Sequence, residues 1–190
     1  TVLPEGYEIR PLEQRDSAAM AAAYVRNREH LEPWDPVRAE SFFTEAGQVV
    51  EVGRQLEDRD RDKRHTFVLW HGLDVAGRIA IDNVARGVLQ SATLGYWVDH
   101  EHLRRGLATA LVEHAVVEGR ALGLHRLEAG TRPRNEASQA VLRRAGFQEY
   151  GRAERFLFIR GEWTDHVLFQ RILHDEPLGN PQTGNRVGRS

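Results

Sequence analysis

Apolar and polar side chains alternate along Tyr7-Glu8-Ile9-Arg10-Pro11-Leu12, the period of a half-buried strand, so the chain is expected to open on one. Asp16 or Ser17 stands where a helix cap would, and a helix is predicted from there to about Arg28. Leu31-Glu32-Pro33-Trp34-Asp35-Pro36 is punctuated by proline and reads as a connection, with a second helix predicted from about Val37 to Leu56. Glu57 to Arg64 is an unbroken charged run that fits a solvated helix end or loop. The period then changes. Thr66–Trp70, Val75–Val84 and Ser91–Val98 read as three successive strands, and the links His71-Gly72-Leu73-Asp74 and Arg86-Gly87 suit antiparallel hairpins. Leu107, Ala110, Leu111, Ala115 and Leu122 fall on roughly one face of a third helix. A short strand follows over His125–Thr131, then a fourth helix capped by Asn135 and stopped at Gly146. Gln148–Ile159 and Glu162–Leu173 make a last hairpin around Arg160-Gly161. This order predicts an α+β fold, a mixed and mostly antiparallel sheet flanked by helices, with residues 1–174 as one domain. Residues 175–190 hold little apolar content and are expected to form a mobile tail.

Composition narrows the chemistry. The formal net charge of −2 over 190 residues carries no global basic footprint, so stable nucleic-acid binding is not expected. No run of about 18 apolar residues occurs and no basic-then-apolar leader is visible, so a cytoplasmic protein without a membrane span is the expectation. Cysteine is absent, which removes disulfides, thiolate zinc sites and cysteine nucleophiles. Lys63 is the only lysine, and it sits in Asp60-Arg61-Asp62-Lys63-Arg64 rather than in a Gly-Lys-Ser/Thr phosphate loop. His100 and His102 bracket Glu101 without a convincing third ligand, so no metal is expected.

The stretch His102-Leu103-Arg104-Arg105-Gly106-Leu107-Ala108-Thr109 is the strongest chemical signal. It joins a strand to a helix N-terminus, where the first N–H groups lack intrahelical partners and the helix dipole is positive. Gly106 and Ala108 leave the backbone bare, so a phosphate group can approach it.

Four pieces in this order resemble the GNAT acyl-CoA N-acyltransferases over about residues 7–173. They are Ile9-Arg10-Pro11-Leu12, Leu94-Gly95-Tyr96-Trp97-Val98, Arg105-Gly106-Leu107-Ala108-Thr109, and Asn135-Glu136-Ala137-Ser138 with Gly146-Phe147. Leu31-Glu32-Pro33-Trp34 and the hairpin Phe156 to Leu168 are most similar to the Rim-type (RimJ/RimL) N-terminal acetyltransferases of ribosomal proteins. The chain departs from the family pattern at Leu103, where Gln or Arg is usual, and at Leu157, where some Rim-type relatives place a carboxylate.

The resemblance implies direct attack of an amine on acetyl-CoA, with no metal and no covalent enzyme intermediate. It implies cofactor binding by Arg104, Arg105, Gly106, Leu107, Ala108 and Thr109 at the turn, with Arg143 or Arg144 adding charge. Trp97 and Val98 on the central strand and Asn135 and Ser138 on the fourth helix would complete the cofactor site. An α-amine, with a pKa of about 7.7–8.0, needs only a modest base. Glu128 is the candidate, ahead of Asp99 and Glu101. Ser138 is the candidate proton donor to the leaving thiolate, and Trp34 the candidate acceptor-binding residue. Asp165-His166 is expected to be a structural pair. The implied acceptor is a protein or peptide N-terminus of the ribosomal-protein-alanine type. Acetylation of a small amine (amino acid, polyamine or antibiotic) and a catalytically silent acyl-CoA-binding module stay open, as do monomer and homodimer.

Overall fold

The alternation at the N-terminus does form a strand, β1, Tyr7–Pro11, in a computed structural model that describes residues 3–177. Helix α1, Ser17–Arg26, and the single turn α2, Arg28–Leu31, follow. The next helix differs from expectation. A 3-10 turn occupies Glu40–Phe43, and α3 runs Glu45–Asp60, starting and ending later than the apolar pattern suggests. Thr44 sets the start, because its hydroxyl accepts from the Gly47 N–H and its backbone is extended. Ion pairs of Arg54 with Glu51 and Asp58, at helical spacing, carry α3 into the charged run.

Three antiparallel strands come next: β2, His65–His71; β3, Asp74–Ala85; and β4, Ser91–Val98. Then come helix α4, Leu107–Ala121; β5, Arg126–Thr131; α5, Glu136–Arg144; and the hairpin of β6, Gln148–Ile159, and β7, Glu162–Ile172. These make one seven-stranded sheet in the order β1-β2-β3-β4-β5-β7-β6. Every pairing is antiparallel except β4 with β5, which α4 connects as a crossover. Of the expected tail, residues 178–190 lie outside the described residues.

Alternation along the strands gives the sheet two apolar faces. Ile79, Ile81, Leu94, Leu127 and Phe169 pack with Leu111 and Leu142 from α4 and α5. Val68 and Val75 pack on the other face with Met20, Tyr24 and Val52 from α1 and α3. Each such buried side chain contributes roughly 1.5–3 kcal/mol. A polar clasp ties α1 to the end of β4. Asp99, fully buried, pairs with Arg26 at 2.6 Å and accepts from Asn27 Nδ2 at 2.8 Å. The Asn27 amide oxygen in turn accepts the His100 N–H. This clasp occupies Asp99 structurally and removes it from the candidate bases. Among the described residues no helix is long and apolar enough to cross a membrane.

Candidate active site

The site follows from a short ladder. β4 and β5 pair only at Ser91–Thr93 with Arg126–Glu128, whereas β5 stays paired with β7 as far as Thr131. Beyond Thr93 the two strands part, and the backbone of Leu94–Val98 loses its partner on that side. A cleft of about 320 Å³ opens there, with Leu94–Trp97 on one wall and Ala129–Thr131 on the other. The N–H groups of this free edge are the kind of preorganised donor an oxyanion needs.

On the far side of β4 lies a second, smaller concavity of about 120 Å³. Val98, Arg104, Gly106, Leu107, Ala108 and Thr109 line it, as the turn motif predicts, together with His102 and Arg144. Arg104 and Gly106 both take left-handed backbone, φ 61° and 76°. Alternation of handedness in such a turn points successive N–H groups into one hollow. The first helical bond begins at Gly106, whose carbonyl accepts from Ala110, so the amides of 107–109 have no intrahelical acceptor. A Cβ built on Gly106 meets nothing within 4 Å, so it would project into space the protein leaves open. This hollow fits a pyrophosphate. Ser138, Val141 and Arg144, three residues apart on one face of α5, line the way between the two concavities.

On the wall of the large cleft, Tyr96 and Ser138 hold each other by their hydroxyls at 2.8 Å. Burial pushes the Tyr96 phenol up to about 12, against the lowering effect of the Ser138 bond, so it stays protonated at neutral pH. Asn135 caps α5 by accepting the Ser138 N–H at 3.1 Å, which fixes Ser138 on the first turn. Both residues face the large cleft, as does Trp34, which lies under the Arg134 guanidinium at 5.6 Å.

Three predicted residues fall elsewhere. Arg105 turns away from the hollow and donates to the Tyr7 hydroxyl, leaving the side-chain charge there to Arg104 and Arg144. Trp97 faces the large cleft rather than the hollow, because alternation places its ring beside Tyr24, with centroids 5.4 Å apart. Glu128 lies level with Thr93 and Asp82 across the sheet, but its carboxylate accepts from Arg126 and from Tyr150, both at 2.6 Å. It is not among the residues lining the cleft. Of the two α5 arginines, Arg143 pairs with Glu149 and lies over Phe169, so Arg144 is the one at the hollow.

The Asp165-His166 pair also divides. Asp165 accepts the Arg155 N–H, while buried His166 lines the cleft, its Nδ1 3.1 Å from the Thr164 carbonyl. Burial pulls its pKa down and keeps it neutral. The histidines near the turn are engaged separately, His100 with Asn27 and His102 with the Tyr7 hydroxyl at 2.6 Å.

The structure adds cleft residues that the sequence pattern did not mark. Asp35, beside Trp34, has its carboxyl pushed up by burial, with Arg38 and Arg78 opposing. Arg78, from β3, lies in register with Trp97 and donates to the Tyr24 hydroxyl at 2.9 Å. The proline-bracketed Asp35 carried a signal, since prolines rigidify a loop. Nothing local marks Arg78, which reads as an ordinary polar strand position.

A sheet split over a polar cleft, with an anion hollow at the adjoining helix N-terminus, defines an acyl-CoA-dependent N-acetyltransferase. The chain belongs to the GNAT family: the family described as "Acetyltransferase (GNAT) domain" matches residues 7–148. It is 32% identical to the ribosomal protein uS5-alanine N-acetyltransferase of Escherichia coli K12 over 163 residues, 84% of each chain. Among solved structures it superposes on the ribosomal-protein-S5-alanine acetyltransferase of Vibrio fischeri with a TM-score of 0.87 and 32% identity, covering 91% of this chain and 97% of that one. Mycobacterium smegmatis RimJ, solved in complex with CoA-disulfide, gives a TM-score of 0.82 at 32% identity, covering 87% and 81%.

Proposed function

We propose that this protein acetylates the N-terminal α-amine of a protein or peptide, a ribosomal protein being the acceptor class named for its relatives. The observation that carries the reading is the open β4–β5 split, which gives an extended chain end a route to the Tyr96–Ser138 pair. Acetyl-CoA supplies an activated acetyl thioester, held by the amides of 104–109 with Arg104 and Arg144 at its phosphates. Asp35 replaces Glu128 as the base. It faces the cleft, and its raised pKa suits it to take a proton from an α-ammonium. The free-edge N–H groups of Gly95–Val98 meet the oxyanion. Ser138 donates a proton to the departing thiolate, and the protonated Tyr96 resupplies it.

The cleft argues against a polycation acceptor, because arginines outnumber carboxylates along its wall. The reaction belongs in the cytoplasm, by a monomer or homodimer. The test is mass spectrometry of a panel incubated with acetyl-CoA: peptides with Ala, Ser or Thr termini, free amino acids, polyamines and aminoglycosides. Acetyl gain on peptide α-amines supports the reading. Gain on a small amine alone overturns it, and CoA binding without any turnover identifies a silent module.

A further inference from the structure

The acceptor cleft is lined by cations whose commitments differ. Arg54 pairs with Glu51, Arg64 with Asp82, and Arg132 with Glu162. Arg78 has no carboxylate within 4 Å among the described residues, and its one hydrogen bond there goes to the Tyr24 hydroxyl. The Arg78 Nε is buried without an acceptor, and so is the indole Nε1 of Trp97, its register partner on β4. Two adjacent side chains lining the cleft therefore each carry one buried donor without an acceptor, the Arg78 Nε and the Trp97 Nε1. Buried donors left unpaired cost free energy. A carboxylate bound in the cleft would give the guanidinium the charged partner it lacks, and guanidinium geometry matches a carboxylate. Trp97 lies on the free edge of β4, so this part of the cleft is within a few residues' reach of the place where the amine reacts.

We infer that Arg78, with Trp97 beside it, is a specificity-determining anchor for a carboxylate on the acceptor, so that the preferred substrate is a peptide with Asp or Glu within a few residues of its N-terminus. The inference rests on the N-terminal reading above and narrows it. A free amino acid carries the same chemistry in its α-carboxylate, and the test separates the two sources.

The experiment measures kcat/KM of the full chain with saturating acetyl-CoA on peptides that begin with Ala and differ at one position, from second to fourth. Asp is compared with Asn and with Lys, and free alanine and aspartate are assayed alongside. The carboxylate peptide is expected to be preferred over its amide by about tenfold or more at one position. Arg78→Gln is expected to erase that preference, so that the Asp and Asn peptides are used equally, and Arg78→Lys to restore part of it. Equal use of Asp and Asn peptides by the unaltered protein overturns the anchor and leaves the N-terminal reading standing, whether or not the variants fold. Turnover of free amino acids alone, with loss in Arg78→Gln, keeps the carboxylate anchor and overturns the peptide reading. Turnover of neither class overturns both.

Discussion

Replacing Gly106 with alanine separates what the phosphate turn costs the fold from what it gives the ligand. Gly106 caps α4 at φ 76°, and a Cβ there meets no protein atom within 4 Å. The penalty to the fold is therefore backbone strain alone, about 1–2 kcal/mol for an L-residue in left-handed conformation. For a chain of this size that lowers Tm by roughly 2–8 °C. Gly87, in the β3–β4 link, is a matched control: its φ is 68°, its Cβ also meets nothing, and it lies outside the hollow. Gly87→Ala should lower Tm by a similar amount. Only at Gly106 does the added methyl stand where a phosphate must approach backbone N–H groups. Losing one charge-assisted hydrogen bond there, worth about 1.5–3 kcal/mol, weakens CoA about tenfold or more. Calorimetric titration with CoA reads this directly, and thermal melts read it again. CoA at one hundred times the unaltered protein's Kd adds about 2.7 kcal/mol to stability, and a tenfold weaker variant keeps about half of that. Equal CoA affinity in both variants would refute the placement of the pyrophosphate at this turn.

Further outcomes follow from the same geometry. Ser138→Ala should lower kcat about a hundredfold while leaving the KM for acetyl-CoA nearly unchanged, the signature of a lost proton donor, checked by steady-state kinetics. Because the Asp35 carboxyl is raised in the fold, its contribution to stability is fully present below the unfolded value and is lost as pH rises through the folded one. Asp35→Asn should therefore raise Tm at neutral pH, with no gain below about pH 3.9, while removing the acidic limb of the kcat/KM profile. Asp99 has the opposite sign. Bonds from the Glu101 N–H, Asn27 and Arg26 outweigh its burial and hold its carboxyl down, so its stabilisation is present above the unfolded value and lost as pH falls through the folded one. Asp99→Ala should cost about 3–5 kcal/mol in urea unfolding at neutral pH, leaving Arg26 and Asn27 without their shared acceptor.

What could be read from the chain and what could not divide along local and non-local physics. The strands, the Asn135 cap and the turn at Gly106 are set by residues a few positions apart, so alternation, capping chemistry and glycine placement marked them. The turn that forms the hollow, Arg104 with Gly106 to Thr109, was legible for that reason. The start of α3 was missed because Thr44, one polar residue among several, decides it through a single hydrogen bond to Gly47. The acceptor cleft was only partly legible. Trp34 showed through its proline-bracketed loop, but the assembly of Asp35, Arg78 and Tyr96 depends on which strands part and where. Glu128 is the clearest example. Its strand was read correctly, yet Arg126 and Tyr150, the latter 22 residues away, claim its carboxylate.

The most direct measurement is tandem mass spectrometry of one peptide that carries both a free N-terminal alanine and an internal lysine, incubated with acetyl-CoA and either the unaltered protein or Asp35→Asn. Acetyl on the α-amine alone, formed at least a hundredfold more slowly by the variant, is the result the account predicts. Acetyl on the lysine side chain, or equal rates from the two proteins, would contradict it.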